Sequence, residues 1–158
     1  MGLFKKDDGI KSSSSGDISK VKKLLDTAYD IDDWVELEPG HWLNKRGSCV
    51  LSVKVEPSGE DGPAYVRILA HVLLDVDDTD KLYRYLLREE PREFYSWVVT
   101  PSDISGKVDL ALMRAIYLDD LDAEELGWTT MSAVKIGDSI DDDLQKRFGG
   151  QLSGEALI

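Results

Sequence analysis

Residues 48–56 read SCVLSVKVE, and the side-chain period within them decides the fold. Successive residues of a strand point to opposite faces, so Cys49, Leu51, Val53 and Val55 share one face while Val50, Ser52 and Lys54 take the other. An apolar face backed by a more polar one is the pattern of an antiparallel sheet covered by helices on one side. The period of two recurs in WVELE (34–38), HWLN (41–44) and AYVRILAHVLLDV (64–76), separated by EPG, KRG and PSGEDGP, all turn-forming. It returns in FYSWVVT (94–100) and KVDLALMRAIYL (107–118), joined by the turn PSDISG.

Around these runs the period changes to that of helices. Asp17 is a candidate N-cap, after which Ile18, Val21, Leu24, Leu25, Ala28 and Tyr29 recur at spacings of three and four. Asp77 or Asp78 caps a second helix, DTDKLYRYLLREE, ended by Pro91; its Leu82, Tyr83, Tyr85, Leu86 and Leu87 cover more than one narrow stripe, which predicts packing on two sides. A third helix starts near Asp122, with Glu124 and Glu125 at its positive end and Gly149 as its stop. Leu126, Thr130, Ala133, Val134, Gly137, Ile140, Leu144 and Phe148 fall on one face of it. The order helix, strands, helix, strands, helix predicts an α+β fold, a single domain with a twisted antiparallel sheet over residues 17–150. Residues 1–16, with a serine run, and residues 151–158 are expected to be flexible tails.

The chain has 158 residues and 42% hydrophobic content, enough for one core. Its 31 acidic residues against 19 basic ones give a net charge of −12, which argues against nucleic acid and anionic membrane as partners. The basic residues come in ones and twos, without an evident patch. A single cysteine and no apolar leader predict a cytoplasmic protein.

The acid comes in bunches: 30–33, 75–80, 119–125 and 141–143. A calcium loop placed on Asp75 fails, because Asp80 stands where glycine is needed and Leu86 where the bidentate glutamate belongs. In SIDDDLQKRFGG (139–150), Asp142 and Asp143 each precede a basic residue by four, the favourable order on a solvated helix face, and Asp141 sits at the edge of the apolar stripe. His41 and His71 have no second ligand at zinc spacing. Cys49, among valines and leucines, is expected to be a small buried hydrophobe. No catalytic set, cofactor or metal site is expected. The competing expectation is a metal-dependent protein in which Asp119, Asp120 and Asp141 converge with His71 nearby.

The strand aromatics remain. EFYSWVV puts Tyr95 and Trp97 on one face, either a partner-binding surface or a second layer of core under the third helix. The segments AYVRILAHVLLDV, DDTDKLYRYLLREE, EFYSWVVTPSDISGKVDLALMRAIYLDDLDAEEL and IDDDLQKRFGG together resemble the YbjN-like family, of the type III secretion chaperone-like superfamily of small bacterial proteins, over about residues 17–150. The resemblance implies a twisted antiparallel sheet with three helices, frequent dimerisation and binding of peptides or partner proteins; it implies no catalytic residues. The expected function is thus that of a non-enzymatic, chaperone-like binding module and homodimer, with Tyr83, Leu87, Tyr95 and Trp97 as its contact surface.

Overall fold

The computed structural model describes residues 13–28, 34–57, 62–88 and 94–156. Among them α1 (Ser15–Ala28) precedes a meander of β1 (Val35–Glu38), β2 (His41–Arg46), β3 (Cys49–Glu56) and β4 (Tyr65–Asp77). Then follow α2 (Asp80–Arg88), β5 (Ser96–Pro101), β6 (Lys107–Tyr117), α3 (Ala123–Phe148), β7 (Gln151–Leu152) and α4 (Ser153–Ala156). All strands join one antiparallel sheet in the order β1-β2-β3-β4-β6-β5, with β7 on β4. This is the predicted α+β class, with an antiparallel sheet and helix caps close to the expected places.

The alternation read from SCVLSVKVE sets the layers. Leu51, Val53 and Val55 pair across the sheet with Ala70, Ile68 and Val66, all buried, and α1 and α3 press on that side. One cluster gathers Val21 and Leu25 of α1 with Trp42, Val53, Ile68 and Leu126. The other gathers Leu82 and Leu86 of α2 with Tyr95, Leu110, Leu112, Ala133 and Leu144. The three long helices therefore share one face of the sheet. Burying a leucine such as Leu51, Leu110 or Leu144 contributes about 2 kcal/mol, so this face carries the stability.

Local chemistry sets the helix ends. The hydroxyl of Ser14, rather than Asp17, accepts the Asp17 amide and caps α1 at 3.1 Å, and Thr79 accepts the Leu82 amide at the start of α2. Asp122 caps α3 as predicted, accepting the Glu125 amide at 2.7 Å, and Gly149 ends it with φ 74°.

Two further expectations are corrected. Residues 151–156 are not a tail: β3 pairs with β4 only as far as Val50↔His71, and β7 takes its place with Leu73↔Leu152. An exposed stretch of the β4 ladder is thereby satisfied. Ser153, fully buried, then accepts the Val50 amide at 3.0 Å and donates to the His71 carbonyl at 2.5 Å. The expected N-terminal tail falls mostly on residues 1–12, outside the described ones; Ser13 already donates to the Val55 carbonyl at 3.0 Å, and Ser15 and Gly16 are helical.

Candidate functional site

The strand parity that buries Ile68 and Ala70 turns Leu69 the other way. There it sits opposite Met113 on β6 and Ser52 on β3, and Ser52 sits opposite Leu43. The row continues to Val35 on β1 and Ser96 on β5. A neighbouring row on the same face runs Lys45, Val50, His71, Ala111 and Val98. Leu43, Leu69, Met113 and Val98 are half-buried, and Val35 is 60% exposed. Among the described residues α1, α2 and α3 leave this apolar strip to itself. A charged band flanks it, with Lys54 bound to Glu38 at 3.3 Å and Arg67 to Glu56 at 2.7 Å.

The two edges of the sheet differ in kind. β1 is four residues long, carries Glu36 and Glu38, and is bulged between them. Short length, charge and a bulge all blunt an edge against further pairing. β5, SWVVTP, pairs with β6 without interruption over six residues and carries no charge; only Pro101 interrupts its capacity to donate. Among the described residues no strand pairs with its outer side.

Of the four expected contact residues, the structure keeps two at the surface. Leu87 is 87% exposed on α2. Tyr83, one turn earlier, donates its hydroxyl to Asp78 at 2.6 Å and lines a hollow with Val99, Pro101 and Ile104. The hydrogen bond to the carboxylate pushes its pKa up. Tyr95 is corrected: at 2% exposure it belongs to the core, where its hydroxyl donates to the Thr129 carbonyl of α3 at 2.7 Å and lies 2.5 Å from the Ser132 hydroxyl. Trp97, opposite Leu112, is half-buried against the same core. Both aromatics point to the helix-covered side, so the alternative of a core layer under the last helix describes them. The wider packing expected of α2 holds in part: Leu82 and Leu86 are buried inward and Tyr85 packs on Phe148 of α3, while Leu87 is in solvent.

The expected carboxylate convergence does not form. Asp119 and Asp120 lie exposed just before α3, whereas Asp141 lies 18 residues into it, about 27 Å along the axis at 1.5 Å per residue. His71 faces the helix-free side. Asp141 instead meets Asp138 and Cys49, whose ligand atoms all lie within 4.8 Å of one another. Ser48 joins them: its amide donates to Asp138 at 3.1 Å, and its hydroxyl contacts Asp138 at 2.5 Å and Asp141 more closely still. A Cβ on Gly47 would come within 2.5 Å of Asp138, so the β2–β3 turn and α3 interlock here. Burial, then the charges of Asp138 and Asp141, push the Cys49 thiol up to about 12, which keeps it protonated and a poor nucleophile or metal ligand. The arrangement is a clamp between the turn and α3.

Both histidines titrate below their ordinary range, His71 because burial outweighs the nearby Asp109, and His41 because burial and Lys54 outweigh Glu38. His41 Nε2 lies 2.8 Å from the Ser52 hydroxyl. Two features escaped the sequence reading. Arg114 binds Glu125 at 2.6 Å while lying over the rings of the exposed Phe94 and Trp128. Between α2 and the end of α3, Lys81, Arg84 and Arg88 of α2 meet Arg147 of α3.

No family model matches the chain, and no curated protein matches it. No helix among the described residues is long and apolar enough to cross a membrane.

Proposed function

We propose that this chain is a non-enzymatic, chaperone-like protein- or peptide-binding module of the bacterial cytoplasm that works as a homodimer. The observation that carries this is the sheet's combination, among the described residues, of an apolar strip that α1, α2 and α3 leave uncovered with one uncharged edge. A β5 strand can pair antiparallel with β5 of a second copy in a two-fold register centred on Val98. Trp97 then stands opposite the partner's Val99, and Ser96 opposite the partner's Thr100. Every such pair matches in face and none opposes like charges, so each supports pairing. The product is one continuous sheet whose helix-free strips, with Leu43, Leu69 and Met113, form a platform for an extended apolar segment. The resemblance to the YbjN-like family supports the same function. Tyr83 lies beside this edge, and the exposed Leu87 on the same helix is a further contact in this proposal.

Binding is tested with a fluorescein-labelled decapeptide carrying leucine at alternate positions. Leu69→Lys should weaken its capture at least tenfold with little change in melting temperature; equal capture by both proteins would remove the strip from the proposal. A second reading, a divalent-cation protein that uses clustered aspartates, rests on the neighbouring carboxylates of Asp138 and Asp141 and not on the protonated Cys49. A melt with zinc, calcium or manganese against chelator separates the two, because binding to the folded state alone raises the midpoint by mass action.

A further inference from the structure

The groove between α2 and the last turn of α3 is basic in a chain of net charge −12. Its walls carry Lys81, Arg84 and Arg88 from α2, Arg147 from α3, and one acid, Asp80. Lys81, Arg84 and Arg88 stand at spacings of three and four, so they form one stripe of the helix. Tyr85 and Phe148 make the floor, with ring centroids 5.2 Å apart at 58°. Lys81 Nζ lies 5.9 Å over Phe148, and the Arg147 guanidinium 5.3 Å over Tyr85. Aromatic faces thus help to hold two of the cations in place.

Helix dipoles account for part of this. Arg88 and Arg147 end their helices, where cations are favoured, and Arg147 also binds Asp143 at 2.8 Å. Lys81 and Arg84 have no such explanation. Lys81 follows Asp80 in the first turn of α2, where a cation opposes the dipole. Among the described residues, Lys81, Arg84 and Arg88 make no ion pair. Within the lining, three unpaired cations face one acid, and this concave set is suited to an anion from outside.

We infer that this groove docks an acidic segment of a partner polypeptide, a short run of aspartate and glutamate side chains. The inference rests on the binding-module function proposed above and names the chemistry of one partner. From residue 81 to residue 88 the cations extend about 10 Å along α2, the reach of three or four extended residues. Guanidinium groups pair with carboxylates in bidentate fashion, which suits Arg84 and Arg88. A long polyanion such as nucleic acid would meet the acidic remainder of the surface and be repelled, whereas a short acidic segment contacts only the groove.

The test is fluorescence anisotropy on the full chain with three labelled probes. These are a decapeptide with six Asp or Glu residues, the same peptide with Asn and Gln in their place, and a ten-nucleotide single-stranded DNA. The acidic peptide should bind, its affinity should fall severalfold between 50 and 200 mM salt, and the amide peptide should bind at least tenfold more weakly. The double variant Arg84→Gln, Arg88→Gln should lose at least tenfold in affinity with little change in melting temperature, since both residues are exposed. The inference is overturned if the acidic peptide does not bind, if the double variant binds it equally well, or if the DNA binds more tightly. The leucine decapeptide, run alongside, separates the two proposals: if it still binds through Leu69 while the acidic peptide does not, the groove assignment falls and the binding module stands.

Discussion

The middle of α3 gives a prediction whose sign reverses between two backgrounds. Gly137 is buried in a helix of 26 residues, where alanine would ordinarily be better by about 1 kcal/mol through helix propensity. A Cβ built on it, however, would lie 2.6 Å from Sγ of Cys49, a fully buried side chain with no room to give. Overpacking of that kind costs about 1–3 kcal/mol. Gly137→Ala should therefore destabilise the native chain by up to about 2 kcal/mol net of the helix gain, a fall of up to roughly 8 °C in midpoint at about 2–4 °C per kcal/mol for a domain of this size. Cys49→Ala removes the sulfur. The nearest remaining atoms are then Val72 Cγ2 at 3.7 Å and the residue 49 Cβ at 3.9 Å, ordinary contacts. In that background Gly137→Ala should stabilise by up to about 1 kcal/mol, giving a coupling of about 1–3 kcal/mol in a double-mutant cycle. Urea denaturation of the four proteins measures it. If Gly137→Ala stabilises both backgrounds, or shifts both equally, β3 and α3 do not approach as closely as described.

The same cysteine predicts an alkaline limb. Its folded pKa, about 12, stands above the ordinary 9.0, so between these values the folded state holds a proton that the unfolded state has released. Stability should be full below about pH 9 and fall above it by about 1.4 kcal/mol per pH unit relative to Cys49→Ala; parallel curves for the two proteins would refute this. His41 and His71 act at the other end. Their folded pKa values lie below 6.5, so stability should decline as pH drops under about 6.5, and urea midpoints at pH 7.5 and 5.5 should show a smaller loss in His71→Gln. Tyr95→Phe should cost about 1 kcal/mol by removing the hydroxyl's bond to the Thr129 carbonyl, seen as a lower urea midpoint, while leaving capture of the leucine decapeptide unchanged. A loss of capture without loss of stability would return Tyr95 to the contact surface.

Periodicity is what made the sheet and helices legible. SCVLSVKVE announced both the strand and which of its faces is buried, and the Asp122 and Gly149 signals bracketed α3 correctly. The caps of α1 and α2 were misplaced because Ser14 and Thr79 compete with nearby aspartates of similar capping strength. β7 went unseen because a two-residue strand has no period; what fixes it is the unpaired ladder of β4, which is a tertiary fact. Tyr95 was placed at the surface because strand parity says which residues share a face, not which face the helices cover. The groove was missed for a related reason. The cations at 81, 84 and 88 do show helical spacing, but only the apolar stripe of α2 was followed, and Arg147 lies 59 residues further on from Arg88.

Pairing of two β5 strands through Val98 is tested most directly by light scattering on the wild type, Val98→Lys, Val98→Glu and an equimolar mixture of the two variants. In the two-fold register residue 98 faces its own copy. The wild type should have twice the 17.7 kDa chain mass, each variant should be monomeric through like-charge repulsion, and the mixture should recover the dimer as a lysine–glutamate pair. A monomeric wild type, or variants that remain dimeric on their own, would contradict it.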